Sequence, residues 1–203
     1  MAWPLGVVDV VFRPLPTVEA AARAEALGFA HLDVPWDCVG RLALPVGDRY
    51  SFPRPEPGCS CGAPPEGRGM WERAVDAFRA APGSRVEPWP GSIVDSVEKV
   101  KAFLAEVPGL RVLLDTGHVA CWGEDPVELV PWADHVQLRQ ARRGVAQTSD
   151  GDVDFGRLVQ HLRANDYQGR LSVEYFDLPE LGWPLEDPVG HAISLAETVR
   201  PLL

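Results

Sequence analysis

Lysine is nearly absent from this chain: among 203 residues only Lys99 and Lys101 carry an ammonium group, and arginine supplies the other basic side chains. Schiff-base chemistry needs a lysine in a dry pocket. Both lysines fall on the polar side of one predicted helix, which excludes an aldolase of that type. Basic charge as a whole is scarce, since 29 acidic residues face 19 basic ones and leave a net charge of −10. No basic stripe exists to offset a phosphate backbone, so nucleic acid and acidic membrane surfaces are excluded as partners. Long apolar runs are missing too, with nothing near the 18 or so residues of a membrane span. Met1-Ala-Trp-Pro-Leu-Gly6 has neither the charged nor the long apolar segment of a secretory signal. The expectation is a cytoplasmic protein. Cysteine is sparse, and Cys38, Cys59, Cys61 and Cys121 lack the paired C-x₂₋₄-C spacing of zinc sites, which predicts free thiols.

What is present is an ordinary globular balance, 46% hydrophobic and 24% charged, which predicts a single domain over residues 1–203. Apolar, β-branched runs alternate with helical patterns along the whole chain, the signature of βα units on a parallel sheet. Strands are expected from Leu5 to Val11, Phe29 to Val34, Arg41 to Val46, around Val86, Val112 to Asp115, His135 to Leu138 and Leu171 to Phe176. A helix capped by Thr17 ends at Gly28, another covers Met70 to Ala80, and Ser92 with Asp95 resembles the capping box of a third. Asp125-Pro126, Asp154 and Asp187-Pro188 open three more. Proline, glycine and cysteine crowd Pro53 to Gly69, which predicts a long loop and no strand between Pro53 and Ala81. The Gly58-Cys-Ser60-Cys-Gly62 pattern falls in that loop, away from the strand-to-helix turn a serine nucleophile requires. About seven βα units result, where a complete eight-unit barrel typically takes about 250 residues. The prediction is a TIM-type (β/α) barrel, shortened or incomplete, whose exposed strand edges favour a homodimer.

Four predicted strands end on oxygen-bearing side chains: Arg85-Val-Glu87, Arg111-Val-Leu-Leu-Asp115, His135-Val-Gln137 and Leu171-Ser-Val-Glu174. In a parallel barrel those ends line the mouth where the active site is built. Three carboxylates in one pocket repel one another unless protons or a cation neutralise them. Oxygen ligands favour Mg²⁺ or Mn²⁺ over zinc. Glu87, Asp115, Gln137 and Glu174 are therefore candidate metal ligands. His118, three residues past Asp115, is placed to touch a substrate oxygen; Arg142 and Arg143 follow the sixth strand on a loop and suit an anionic substrate group. His135 lies deeper on its strand than Gln137 and is expected to be structural.

Leu114-Asp115-Thr-Gly-His118, His135-Val-Gln137-Leu, Gly151-Asp-Val-Asp154-Phe and Tyr167-Gln-Gly169-Arg-Leu-Ser-Val-Glu174-Tyr together resemble the sugar phosphate isomerase/epimerase family, of the xylose isomerase-like TIM-barrel superfamily. The resemblance covers Val86 to the C-terminus well and the first two βα units loosely. It implies a divalent metal on Glu87, Asp115, Gln137 and Glu174, with His118 binding substrate and the family's loop arginine at Arg142 or Arg143. Glutamine replaces the usual sixth-strand histidine, as in the hydroxypyruvate isomerase-like branch, and Asp33 resembles the second-strand acid of many members. The implied mechanism is aldose–ketose isomerisation or epimerisation of a small polyhydroxy carbonyl compound through an enediolate. Glu87 and Glu174 serve as acid and base in that mechanism, and Asp115 and Gln137 as ligands only. Two other readings stand beside it: a dehydratase of a keto-cyclitol or keto acid on the same site, and a non-catalytic binding protein on a degenerate barrel.

Overall fold

Short apolar strands pair side by side in the order in which they occur along the chain. They are β1 (Leu5–Val8), β2 (Leu32–Pro35), β3 (Val46–Ser51), β4 (Ser60–Gly62), β5 (Arg85–Glu87), β6 (Arg111–Asp115), β7 (Ala133–Leu138) and β8 (Arg170–Val173). All pairings are parallel, and β8 returns to β1 to close an eight-stranded barrel. The computed structural model describes residues 3–179 and 182–203. Around the strands lie α1 (Thr17–Ala26), α2 (Met70–Arg79), α3 (Val97–Glu106), α4 (Thr116–Trp122), α5 (Phe155–Ala164) and α6 (Pro188–Val199). Among the described residues, no helix is long and apolar enough to cross a membrane.

The barrel is complete, which corrects the expectation of about seven units. The missing strand is β4, inside the supposed loop: Ser60 and Cys61 pair with Tyr50 and Ser51 on one side and with Arg85 and Val86 on the other. The third strand is also displaced, because Val46 to Ser51 pairs with β2 while Arg41 to Pro45 forms no strand. The chain is short for another reason. Residues 36–45 and 52–59 cross over without the helix that usually covers a parallel connection, leaving Trp36, Val39 and Phe52 exposed. Closure removes free strand edges, so edge pairing gives no argument for a dimer. α3 begins later than predicted, with Ser96 rather than Ser92 as its cap; the Ser96 hydroxyl accepts from the Lys99 amide. Lys99 and Lys101 point outward to Glu66, Asp95 and Glu128, as their place on the polar side predicts.

Below the mouth the barrel is filled with paired polar groups rather than aliphatic side chains alone. His135 Nε2 lies 2.7 Å from Asp33 Oδ2, both fully buried, and the Asp48 amide donates to Asp33 Oδ1 at 2.9 Å. His135 is therefore structural, and Asp33 sits in this inner layer. His31 Nε2 lies 3.0 Å from Ser172 Oγ, and burial pushes its pKa down to about 4. Its ring occupies space left by Gly6 and Gly47, where any Cβ would collide with it. Ser60 and Arg85 both hold Asp48, which gives Ser60 a structural role.

Burial by itself pushes His135 down and Asp33 up, but each partner outweighs it: His135 ends above its ordinary value and Asp33 below. Both contributions to stability are fully present between about pH 4 and 6.5, the ordinary values of the two groups. The acid's share is lost as pH falls through the lowered Asp33 pKa, and the imidazole's as pH rises through the raised His135 pKa. Asp33→Asn is expected to cost about 3–5 kcal/mol near pH 6 by leaving a buried imidazolium unpaired. Urea midpoints measured across pH should show this loss, together with disappearance of the decline that His135 imposes on the alkaline side.

Candidate active site

β6 runs directly into α4, and Asp115 is the joint. Its backbone is extended while its Oδ1 accepts from the amides of Gly117 at 2.7 Å and His118 at 3.3 Å, capping the helix. That turn was not visible as a helix in the sequence. It carries the His118 ring back over the mouth, 3.3 Å from Asp115 Oδ2 and 3.4 Å from Glu87 Oε1. Glu87, Asp115 and His118 each offer one atom within 4.8 Å of the others, a spacing that could hold a metal ion. Gln137 stands beside Asp115 in the β6–β7 register, and Glu174 follows β8. Both are buried, and Gln137 Oε1 and Glu174 Oε2 have no hydrogen-bond partner among the described residues. Glu87, Asp115 and His118 thus come together, with Glu174 near Arg139 and Gln137 beside Asp115 in strand register.

A fifth residue stands among them that sequence reasoning passed over. Arg139, wholly buried, ion-pairs through Nη2 with Asp115 Oδ2, and its Nη1 lies 3.8 Å from Glu174 Oε2. Nη2 is 3.2 and 3.3 Å from the two ring nitrogens of His118. Those nitrogens share one carbon, so near-equal distances place Nη2 over the ring face, not in line with either lone pair. The guanidinium also packs on Phe176, with Cζ 4.7 Å from the ring centre. The available signal was strand periodicity: residues 135, 137 and 139 share one face of a strand. As placed, Asp115 Oδ2 is held by Arg139 rather than free for a metal ion. Arg142 and Arg143, the arginines chosen from the sequence, are both exposed; Arg143 packs beside Gly123 at the end of α4.

Aromatic rings roof the mouth. Trp183 lies 5.5 Å from the His118 ring, 5.4 Å from Phe176 and 6.4 Å from Trp89, measured between ring centres. Gln147 fastens this segment by donating to the carbonyls of Phe176 at 2.7 Å and Trp183 at 3.2 Å. Under that cover, burial pushes the Glu174 carboxyl well above its ordinary range; Arg139 opposes the rise, and Asp115 and Glu87 add to it. Burial also pushes Asp115 up, but Arg139 and His118 outweigh it and keep Asp115 below the ordinary value. Arg139 and His118 thus favour the charged form of Asp115, while burial favours the neutral form of Glu174.

A model of the xylose isomerase-like TIM barrel family matches residues 23–198. The chain belongs to that family. An inosose dehydratase of Clostridium perfringens is 29% identical over 122 residues, which cover 47% of this chain and 41% of the relative. This chain thus matches less than half the length of that relative. The E. coli 3-keto-D-glucoside 4-epimerase superposes with a TM-score of 0.72 at 14% identity, covering 98% of this chain and 99% of that one. An L-ribulose 3-epimerase superposes with a TM-score of 0.71 at 17% identity, covering 100% and 95%. These likenesses show the fold.

Gly117 makes room for the arginine. A Cβ there would lie 2.6 Å from Arg139 Nε and 2.8 Å from the Ala146 carbonyl oxygen. Alanine would gain about 1 kcal/mol of helix propensity, but the crowding costs about 1–3 kcal/mol and the carbonyl cannot step aside. Gly117→Ala is expected to lower the urea midpoint; an unchanged or raised midpoint would show that the arginine is not packed against this turn.

Proposed function

We propose that the protein is an isomerase or epimerase of a small polyhydroxy carbonyl compound, working through an enediolate. The observation that supports this reading is that Glu87, at the end of β5, contacts His118 while Glu174, just past β8, lies near the Arg139 that pairs with Asp115. Two carboxyl groups flanking one substrate can remove a proton from carbon and return one to the adjacent carbon or to the opposite face. The first outcome is isomerisation and the second epimerisation. In this reading His118, 3.4 Å from Glu87 Oε1 and 3.3 Å from Asp115 Oδ2, hydrogen-bonds the substrate oxygen beside the rings of Trp183, Phe176 and Trp89.

Negative charge developing on the enediolate needs a positive partner. A divalent ion, Mn²⁺ or Mg²⁺, would supply Lewis-acid charge, with Glu87, Asp115 and His118 as the residues to hold it; to bind there it would have to take Asp115 Oδ2 from Arg139. Arg142 and Arg143 remain candidates for an anionic substituent at the rim. A second reading, elimination of water from the same enediolate, is favoured by the partial identity with inosose dehydratases.

Incubation in deuterium oxide with a panel of ketoses and inososes tests the reading. The protein is expected to exchange the hydrogen α to the carbonyl, and product analysis separates isomer, epimer and dehydrated product. Glu174→Gln is expected to lower that exchange by about 10²–10⁴-fold, the usual contribution of a positioned acid–base group. Exchange that persists unchanged in both Glu174→Gln and Glu87→Gln would remove the proposed chemistry.

A further inference from the structure

The four candidate ligands come from separate strands, yet the positive charge among them already belongs to the chain. Arg139 is the last inward-facing residue of its strand line, wholly buried. Its Nη2 contacts Asp115 Oδ2 and lies over His118, and His118 in turn contacts Glu87. A guanidinium nitrogen therefore touches two members, Asp115 and His118, of the three-residue group whose spacing could hold an ion. Arginine does not deprotonate in proteins, so a divalent cation at that point would meet a fixed like charge and find its central carboxylate oxygen taken.

Several independent features hold the side chain there. The Arg139 amide donates to Thr116 Oγ1 at 2.9 Å, and the same hydroxyl lies 2.9 Å from the Arg139 carbonyl oxygen. Gly117 leaves the space that Nε and Cγ occupy, and Phe176 packs on the guanidinium face. The arginine is nevertheless not fully paired. Among the described residues Nη1 has no hydrogen-bond acceptor, and Glu174 Oε2, 3.8 Å away and beyond hydrogen-bonding distance, has no partner either. Buried donors and acceptors left open in this way are costly. They match a ligand that carries an acceptor oxygen and a neighbouring hydroxyl.

We propose that Arg139 is the resident cation of this site in place of a divalent metal, and that its Nη1 receives the developing oxyanion of an α-hydroxy carbonyl substrate. The oxyanion role rests on the reaction proposed above; the displacement of metal does not. In that reaction a carboxylate takes the proton as the C–H bond breaks, and the electron pair moves onto the carbonyl oxygen beside Nη1. Return of a proton to carbon restores the carbonyl and leaves Arg139 unchanged.

Elemental analysis and calorimetric titration with MnCl₂ on the intact chain test the metal question without reference to turnover. The wild-type protein is expected to carry substoichiometric metal and to give no saturable Mn²⁺ binding. Arg139→Ala is expected to gain saturable Mn²⁺ binding where the wild-type protein shows none. Arg139→Met keeps the apolar stem and makes the same comparison if the alanine variant does not fold. Stoichiometric Mn²⁺ in the wild-type protein would overturn the proposal. Deuterium exchange in EDTA separates the two claims. Exchange by metal-free wild type, lost in Arg139→Met, supports both; exchange that appears only when Mn²⁺ is added overturns the role of Arg139 and leaves the reaction standing. A metal-free wild type that exchanges no substrate removes the oxyanion role, while the Mn²⁺ titration reads the arginine's hold on Asp115 by itself.

Discussion

The buried pair between Arg139 and Asp115 is the constraint around which the mouth of this barrel is organised. Removing an ion from water costs several kcal/mol even after relaxation, so each of these charges requires the other. Asp115 divides its two oxygens between tasks: one caps α4 through the Gly117 and His118 amides, and the other holds the guanidinium. The helix cap therefore fixes the carboxylate, the carboxylate fixes the arginine, and the same turn brings His118 between Glu87 and Asp115. Loss of the pair would strand a charge and release the turn that carries the histidine.

The inner layers of the barrel support that mouth by similar means. Asp33, His135, Asp48, Ser60 and Arg85 form a buried polar network in which charges are matched across β2, β3, β4, β5 and β7. It ties together the side of the barrel where two crossovers have no helix. Strands that lack an outer helix still close the barrel because their inward side chains are joined to the well-covered strands opposite. The mouth is thus mounted on a rigid base while its roof, around Trp183, is held by the contacts of Gln147 and the neighbouring rings.

Much of this was legible in the chain itself. Apolar runs ending on Glu87, Asp115, Gln137 and Glu174 marked strand ends, and the barrel brings Glu87 and Asp115 together with His118 while Gln137 stands beside Asp115 in register and Glu174 lies near Arg139. β4 was not legible because Ser60-Cys-Gly62 has too few residues to show a period and sits among prolines; its pairing comes from β3 and β5. β3 was misplaced because Gly47 and Asp48 break an apolar pattern, and both have reasons that lie across the barrel, at His31 and Arg85. Ser92 looked like a helix cap because Asp95 follows it at capping-box spacing; its hydroxyl does accept backbone amides, from Trp89 and Val94, but in the turn that precedes α3. Arg139 was overlooked because a buried arginine runs against composition-based expectation, although its two-residue step from Gln137 pointed it inward.

The central claim is that an arginine fills the place between the carboxylates. A crystal structure grown in millimolar manganese, with anomalous data collected at the manganese edge, tests it most directly. The account predicts Arg139 on Asp115 and no anomalous peak at the barrel mouth. A manganese peak coordinated by Glu87, Asp115 and His118, with the Arg139 side chain displaced, would contradict it.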